Sequence, residues 1–493
     1  MNFKHTLVIY ALLSMSGSIC HVAAQSIKYP TEVKELYNTA DKAAMLTNYP
    51  RPVIGVPTTP DTKAEVAAVE KAGGIAIIIP STVDPGALRD IAGLLDGLVL
   101  SQGVQASDKY SVLLNKVASD RNIPVLGDNA LMTKIDSGLW RMHDNCRDYA
   151  SLIDRAKLFK RAKNLHQRMF TVDTHADLPE GYDKGNSIGL RKTNQVSIQK
   201  MEEGMLDAEF IIDFIGDGAK TKEQLDNAEA KCKKILQQIY DDVEKYKDFC
   251  AIAKTPAEAM KIKSEGKKAL FIGMENGAGL GADINNVKWY ADRGVTYITL
   301  CWMKDNAICH SSSIRYKDND PSKGLTEYGK KVVRQMNKHG VIVDVSHTSE
   351  QTFWDCIKVS KTPIICSHSG CMANHTHDRN ITDEQIRALA QKGGVLQVYA
   401  VWNFQGKDKY KTTIKNMVAD IDHAVRIGGV DHVGIGADFD GGGGYTGIMA
   451  ENDFINITME LMKKGYSDED IAKIMGGNIM RVMTEVQQYA KKQ

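Results

Sequence analysis

Five places along this chain set a metal-ligating or proton-transferring side chain directly after an apolar run. The first is Thr171-Val172-Asp173-Thr174-His175-Ala176-Asp177, which ends in a His-x-Asp pair. Residues i and i+2 of a strand share a face, so His175 and Asp177 would offer an imidazole nitrogen and a carboxylate oxygen side by side. That donor pair suits a borderline cation such as zinc. Further on, Ala269 to Gly273 leads into Glu275, Val341 to Val345 into His347, Pro363 to Cys366 into His368, and His432 to Gly436 into Asp438. One polar residue after a strand is ordinarily a turn residue or a helix cap. Five in the same relative place are the pattern of a shared site.

The residue types define the chemistry. Three His, two Asp and one Glu exceed what one tetrahedral zinc takes, and suit two divalent ions about 3.5–4 Å apart that share a carboxylate and a hydroxide. Such a hydroxide can attack a carbonyl that one ion polarises, and the leaving amine then needs a proton. Asp438 is the candidate donor, and hydrolysis of an amide is the economical reading.

Bringing these residues together requires eight strands in register. Apolar segments at 170–175, 208–214, 269–273, 296–300, 341–345, 363–367, 394–398 and 432–436 alternate with helical patterns, including the amphipathic run Lys222 to Tyr246. This predicts a (β/α)8 barrel of the TIM type, whose active sites lie at the C-terminal ends of the strands. Ser467 with Asp470 reads as a capping pair for the last helical stretch, and Gly441 to Gly444 as a flexible loop after the last strand. Ahead of the barrel, Pro52 to Val56, Gly73 to Pro80, Gly97 to Ser101 and Ile123 to Gly127 alternate with helices at 62–71 and 85–95. That predicts a small parallel-sheet α/β domain over 25–150, joined by a charged helical connector at 151–169 to the barrel at 170–493.

Composition narrows the partners. The 493 residues carry a formal charge of +1, with 43% hydrophobic and 25% charged residues. Nothing basic enough for nucleic acid or acidic enough for a solvated tail stands out, and no stretch reaches the length of an integral membrane span. Lys4, the apolar run Leu7 to Leu13 and the small residues ending at Ala24 form a secretory signal pattern over 1–24. The expectation is export, to a periplasm or the exterior. Ile19 before Cys20 argues against a lipid anchor. The remaining eight cysteines show no Cys-x-x-Cys spacing, and buried free thiols are the expected state of those in apolar runs.

The strings "RPVIGV", "AGGIAIIIP", "LDGLVLSQG" and "IPVLG" resemble the first half of a class I glutamine-amidotransferase-like domain. That family carries a nucleophilic cysteine after the last of these strands, where this chain reads Gly127-Asp128-Asn129-Ala130. Without the thiol no acyl intermediate forms, so this segment is expected to be a truncated, catalytically silent relative.

The barrel segment resembles the membrane (renal) dipeptidase family of dizinc hydrolases nearly throughout. The strings that carry the likeness are "VDTHADLP", "FIGMENG", "VIVDVSHTS", "PIICSHSG", "HDRNITDEQI", "HVGIGADFDG" and "IMGGNIMRV". The resemblance implies two zinc ions per chain, with His175 and Asp177 on one, His347 and His368 on the other, and Glu275 bridging. It makes Asp438 the acid/base and Arg379 the clamp on a substrate carboxylate, a role that a guanidinium fork suits. From the residue pattern alone, Arg379 reads as a surface arginine beside Asp378 and Asp383. The implied substrate is a dipeptide, with tolerance for a C-terminal D-residue, and a homodimer is compatible with the family.

Two positions depart from that pattern. Trp302 stands where the family places a histidine that hydrogen-bonds the carbonyl oxygen, and an indole offers one donor but no positive charge. His310 is a candidate substitute. Val401 occupies a position that is often aromatic. The altered pocket keeps two alternatives open: a dizinc hydrolase of another small N-acyl amino acid or cyclic amide, and a metal-binding protein with lapsed catalysis.

Overall fold

The computed structural model describes residues 51–79, 85–100, 109–127, 146–190, 194–216 and 218–493. The signal pattern, the polar stretch at 25–50 and residues 128–130 after the fourth strand lie outside these. The chain divides into two compact units, with the boundary between Gln167 and Arg168.

In the first unit β1 (Val53–Pro57), α1 (Thr62–Ala72), β2 (Ile75–Ile79), α2 (Pro85–Leu94), β3 (Gly97–Val99), α3 (Lys109–Asp120) and β4 (Val125–Leu126) alternate. The strands form a parallel sheet of order β2-β1-β3-β4, as their unbroken apolar character suggests. Ile54, Val56 and Ala76 of this sheet pack with Leu152, Ile153 and Ala156 of α4 (Tyr149–Arg168). A buried carboxylate ties the same helix down. Asp96 accepts from Val53 N at 2.8 Å and pairs with Lys163 at 2.8 Å and Lys160 at 3.2 Å.

The second unit is the expected barrel. Its strands β5 (Val172–Ala176), β6 (Ala208–Phe214), β8 (Lys268–Glu275), β9 (Val295–Thr299), β10 (Ile342–Asp344), β11 (Ile364–Cys371), β13 (Val395–Val398) and β14 (Val433–Ile435) pair in parallel in that order, and the short strands β7 (Cys250–Ile252) and β12 (Asn380–Ile381) attach to β8 and β11. All eight expected strands are present within a few residues of their predicted limits; β7 and β12, of three and two residues, are too short to show a period. The lower interior is apolar, built from Val172, Phe210, Ile212, Phe271, Ile342, Ile365 and Val395, with Val482 and Val486 of the last helix against it.

The ring closes between the first strand and the segment after the last. Ala176 bridges Phe439, Asp177 N donates to Phe439 O at 2.8 Å, and Asp438 N donates to His175 O at 3.1 Å. Buried Asp173 and Thr174 add side-chain ties, Asp173 accepting from Ala437 N at 2.7 Å and Thr174 Oγ1 donating to Ile435 O at 3.0 Å. Helices lie between the strands. The longest, α5 (Lys222–Lys245), starts with a Thr221/Gln224 capping box, and Ser467 caps the helix at Asp468–Ala472 through Asp470 N. The eight cysteines at and after Cys146 are free and buried. Among the described residues no helix is long and apolar enough to cross a membrane.

Candidate metal centre

The strand ends bring the candidate ligands to one point. Glu275 closes β8, and its Oε1 lies 2.8 Å from His347 Nε2 and 3.4 Å from His368 Nε2, while Oε2 is 3.7 Å from His175 Nε2. His175 Nε2 is also 3.6 Å from Asp177 Oδ2, and the His347 and His368 Nε2 atoms are 2.9 Å apart. Two groups of ligand atoms fall within 4.8 Å of one another: His175, Glu275 and His368, and His175, Asp177 and Asp438. Asp438, expected only as an acid/base, is thus close enough to share a cation.

The residues fit a metal. His175 Nε2, Glu275 Oε1 and Asp177 Oδ1 are buried and have no hydrogen-bond partner. Leaving such an atom unsatisfied costs about 1–3 kcal/mol. A cation among them would take up these lone pairs, and the mixed imidazole and carboxylate donors suit a zinc-like ion.

Charge is finely balanced across the cluster. Burial disfavours the imidazolium of His175, yet the carboxylates of Asp177 and Glu275 outweigh it and raise its pKa. Burial, helped by the Arg379 charge, holds His347 down at about 4, and burial with the nearby His175 charge lowers His368. Burial would raise Glu275, but His347, His175 and His368 together hold it well below the ordinary carboxylate range. Asp438 goes the other way: burial, opposed by His175 but reinforced by Asp177 and Glu275, keeps its carboxyl protonated well above the usual value.

The backbone turns sharply at these strand ends. Asn276, His347, Asp438 and Asp440 all have left-handed φ, at 78°, 65°, 64° and 62°. Non-glycine residues adopt this region at a cost, and strain of this kind gathers at functional sites. The glycine loop after β14 is pinned, contrary to the flexibility expected of it. Gln195 donates to Gly443 O at 2.8 Å, and Gly444 N donates to Ala400 O at 2.7 Å. Asp440 accepts from Gln195 N at 2.7 Å. A Cβ on Gly441 would lie 1.9 Å from Asp177 Oδ2, so the loop lies directly on the ligand carboxylates.

Arg379 is 5% exposed, which overturns the surface reading. Its Nη2 donates to His368 O at 3.0 Å, its Nε has no partner, and Asp383 pairs with His423 at 2.6 Å instead. His377, unassigned in the sequence, supports this loop: its ring lies 4.3 Å from Phe404, and its Nδ1 accepts from Arg379 N at 3.2 Å. Trp302 stands at the mouth, with its ring 6.3 Å from His347 and edge-on to Phe214 at 5.1 Å. His310 is turned away into its own loop, with Nδ1 2.8 Å from Gly324 O and Nε2 3.7 Å from Asp305. Val401 is buried against Tyr399 and Phe404.

Three further residues escaped the sequence reading. His175 Nδ1 lies 2.8 Å from the Tyr297 hydroxyl, and His368 Nδ1 lies 2.8 Å from Ser367 Oγ, which is backed by Asp344. Asp344 had a visible signal, since a carboxylate inside the apolar run Val341 to Val345 must find partners.

Comparison with known proteins identifies the family. Residues 159–493 match the family described as Membrane dipeptidase (Peptidase family M19). The chain is 34% identical to Dipeptidase tcpJ of Claviceps purpurea over 52% of its own length and 60% of that protein's. It is 30% identical to Dipeptidase ataJ of Aspergillus terreus, covering 67% of this chain and 88% of that one. Among solved structures, the probable dipeptidase PvdM from Pseudomonas aeruginosa superposes with a TM-score of 0.64 at 26% identity, covering 68% of this chain and 99% of PvdM. A metallo peptidase from Rhodobacter sphaeroides, solved with a phosphinate mimic of the dipeptide L-Ala-D-Ala, shares the fold at a TM-score of 0.58 and 19% identity, over 64% of this chain and 99% of its own. The chain belongs to the membrane dipeptidase family, peptidase family M19.

Proposed function

We propose that this chain is an exported dizinc dipeptidase that cleaves the single amide of a dipeptide. The observation that carries the reading is the buried Glu275 carboxylate, within 3.7 Å of all three imidazole Nε2 atoms. His175 and Asp177 would hold one ion, His347 and His368 the other, and Glu275 both. When bound, the ions supply an activated water and a polarised carbonyl.

The chain's own groups do the rest. Arg379 keeps guanidinium N–H groups for a substrate carboxylate while anchored through Nη2. Asp438, protonated in its buried setting, donates to the departing amine. Trp302, near His347 and backed edge-on by Phe214, gives an apolar surface that excludes water and meets a substrate side chain. Export rests on the signal pattern over 1–24. The first unit acts as a silent amidotransferase-like appendage.

The aromatic wall in place of a histidine also favours a second reading, a dizinc hydrolase of other small N-acyl amino acids or cyclic amides. Metal content per chain, followed by a panel of L,L- and L,D-dipeptides, their C-terminal amides and N-acyl amino acids, separates the readings. Chelator-sensitive turnover of free dipeptides but not of their amides supports the proposal. Turnover of N-acyl amino acids alone supports the second reading, and bound metal without turnover indicates lapsed catalysis.

A further inference from the structure

Histidine ligands work only if the nitrogen facing the cation lacks a proton, and the partner of the other nitrogen decides this. Proton counting around two of the three imidazoles gives a definite answer. The Tyr297 hydroxyl has one proton and lies 2.9 Å from Thr174 O, a carbonyl that can only accept. Having donated there, it must accept from His175 Nδ1 at 2.8 Å, so a proton sits on Nδ1, and Nε2 is the nitrogen left to a cation in the neutral ring. Ser367 Oγ likewise has one proton and lies 2.6 Å from the Asp344 carboxylate, so it must accept from His368 Nδ1 at 2.8 Å.

Asp344 is committed to that state. Its Oδ1 accepts from Ser346 N at 3.0 Å and Ser367 N at 2.8 Å, and its Oδ2 accepts from Thr299 Oγ1 as well as Ser367 Oγ. Four donors thus converge on its two oxygens. The sheet places these groups at one level, since Thr299, Asp344 and Ile365 are direct partners across β9, β10 and β11. β8 makes room for the tyrosine: a Cβ on Gly273 would lie 2.5 Å from Tyr297 Cζ. His347 differs, because its Nδ1 is buried with no hydrogen-bond partner and its backbone is left-handed.

We infer that Tyr297, and Ser367 together with Asp344, are positioning residues that fix His175 and His368 as Nδ1-protonated tautomers and present both Nε2 atoms bare to the metal. This rests on the cluster being a metal centre, but the Nδ1 protons are held by hydrogen bonds that need no metal. Two measurements test it. In chelator-treated protein carrying 15N-labelled histidine, two-bond 1H–15N spectra report the tautomer directly. The expected result is Nδ1–H for both residues, with the His368 signal shifted in Ser367→Ala and the His175 signal in Tyr297→Phe. In competition against a chromophoric zinc chelator, each variant should hold zinc about 10–100-fold more weakly than the parent. Ser367→Thr, which keeps the hydroxyl, should recover most of the loss. A bare Nδ1 on either ring in the parent overturns the inference, as do both variants binding zinc within threefold of the parent. A parent that binds no zinc but shows Nδ1–H on both rings sinks the functional reading and leaves this one standing.

Discussion

Gly441 offers a sharp test of how closely the last loop covers the ligand carboxylates. Its φ is not left-handed, so alanine brings no backbone strain, only a methyl group. That methyl would lie 1.9 Å from Asp177 Oδ2 and 2.4 Å from Asp438 Oδ1. A non-bonded carbon and oxygen need about 3 Å or more, so Asp177 must retreat by about 1 Å or the loop must lift. Displacements of that size in a catalytic group cost about 100-fold in rate, roughly 2.7 kcal/mol. We expect Gly441→Ala to lose dipeptide turnover by about that factor and to hold zinc about 10-fold more weakly, read by turnover assays and metal analysis after dialysis. Gly442→Ala is the control. Its Cβ meets nothing within 4 Å, but its φ of +132° strains an L-residue, so it should lose stability by about 1 kcal/mol with metal content intact. Full metal content and near-parent turnover in Gly441→Ala would refute the placement of the loop against Asp177 and Asp438.

Arg379→Lys removes a planar fork but keeps the charge, so kcat/KM for dipeptides should fall about 10–100-fold, mostly through KM, with metal content unchanged. Equal kinetics for the two proteins would remove the clamp. Trp302→His puts back an imidazole donor that can carry charge, and since loss of such a donor costs about 10²–10³-fold elsewhere, faster dipeptide turnover is the expected direction; an unchanged or lower rate would count against a role for this position in limiting turnover. Asp420, which is not one of the candidate ligands, has its carboxyl raised to about 6 by burial against its bonds to Gln405 and Asn374. Since its unfolded value is near 3.8, the folded chain holds a proton between about pH 4 and 6 that the unfolded chain has released. This contribution to stability is therefore present at low pH and is lost as pH rises through that window. Urea unfolding of Asp420→Asn across the window should show a pH slope that differs from the parent's by about one proton, roughly 1.4 kcal/mol per pH unit at most. Parallel slopes would show that the group does not titrate as described.

The candidate ligands were legible because strand periodicity and chemistry pointed the same way. An apolar run ending in His, Glu or Asp marks both the strand and a candidate functional end, so His175, Glu275, His347, His368 and Asp438 could be read before any geometry. The residues that orient them were not. Tyr297 and Ser367 lie within strand text, where an aromatic or a serine looks like ordinary packing, and their partners are about 120 or more residues away in one case and 23 in another. Arg379 was misjudged from its neighbours Asp378 and Asp383, because sequence adjacency says nothing about which charges the fold turns inward. The glycines at 441–444 show the same limit: glycine marks both a loose loop and a backbone pressed against something, and only the positions of Asp177 and Asp438 decide between them.

The seam between β5 and the segment after β14 has a consequence for how the molecule matures. Asp173, Thr174 and His175 reach residues 435 to 438 through bonds that span more than 250 positions of the chain. Contacts of such sequence separation form late, because the loop they close is long. The His175, Asp177 and Asp438 group can assemble only after that last stitch, whereas Glu275, His347 and His368 come from strands that pair without it. Metal capture would then report completed folding, and a chain stalled before its final strand would carry half a centre with little affinity for an ion.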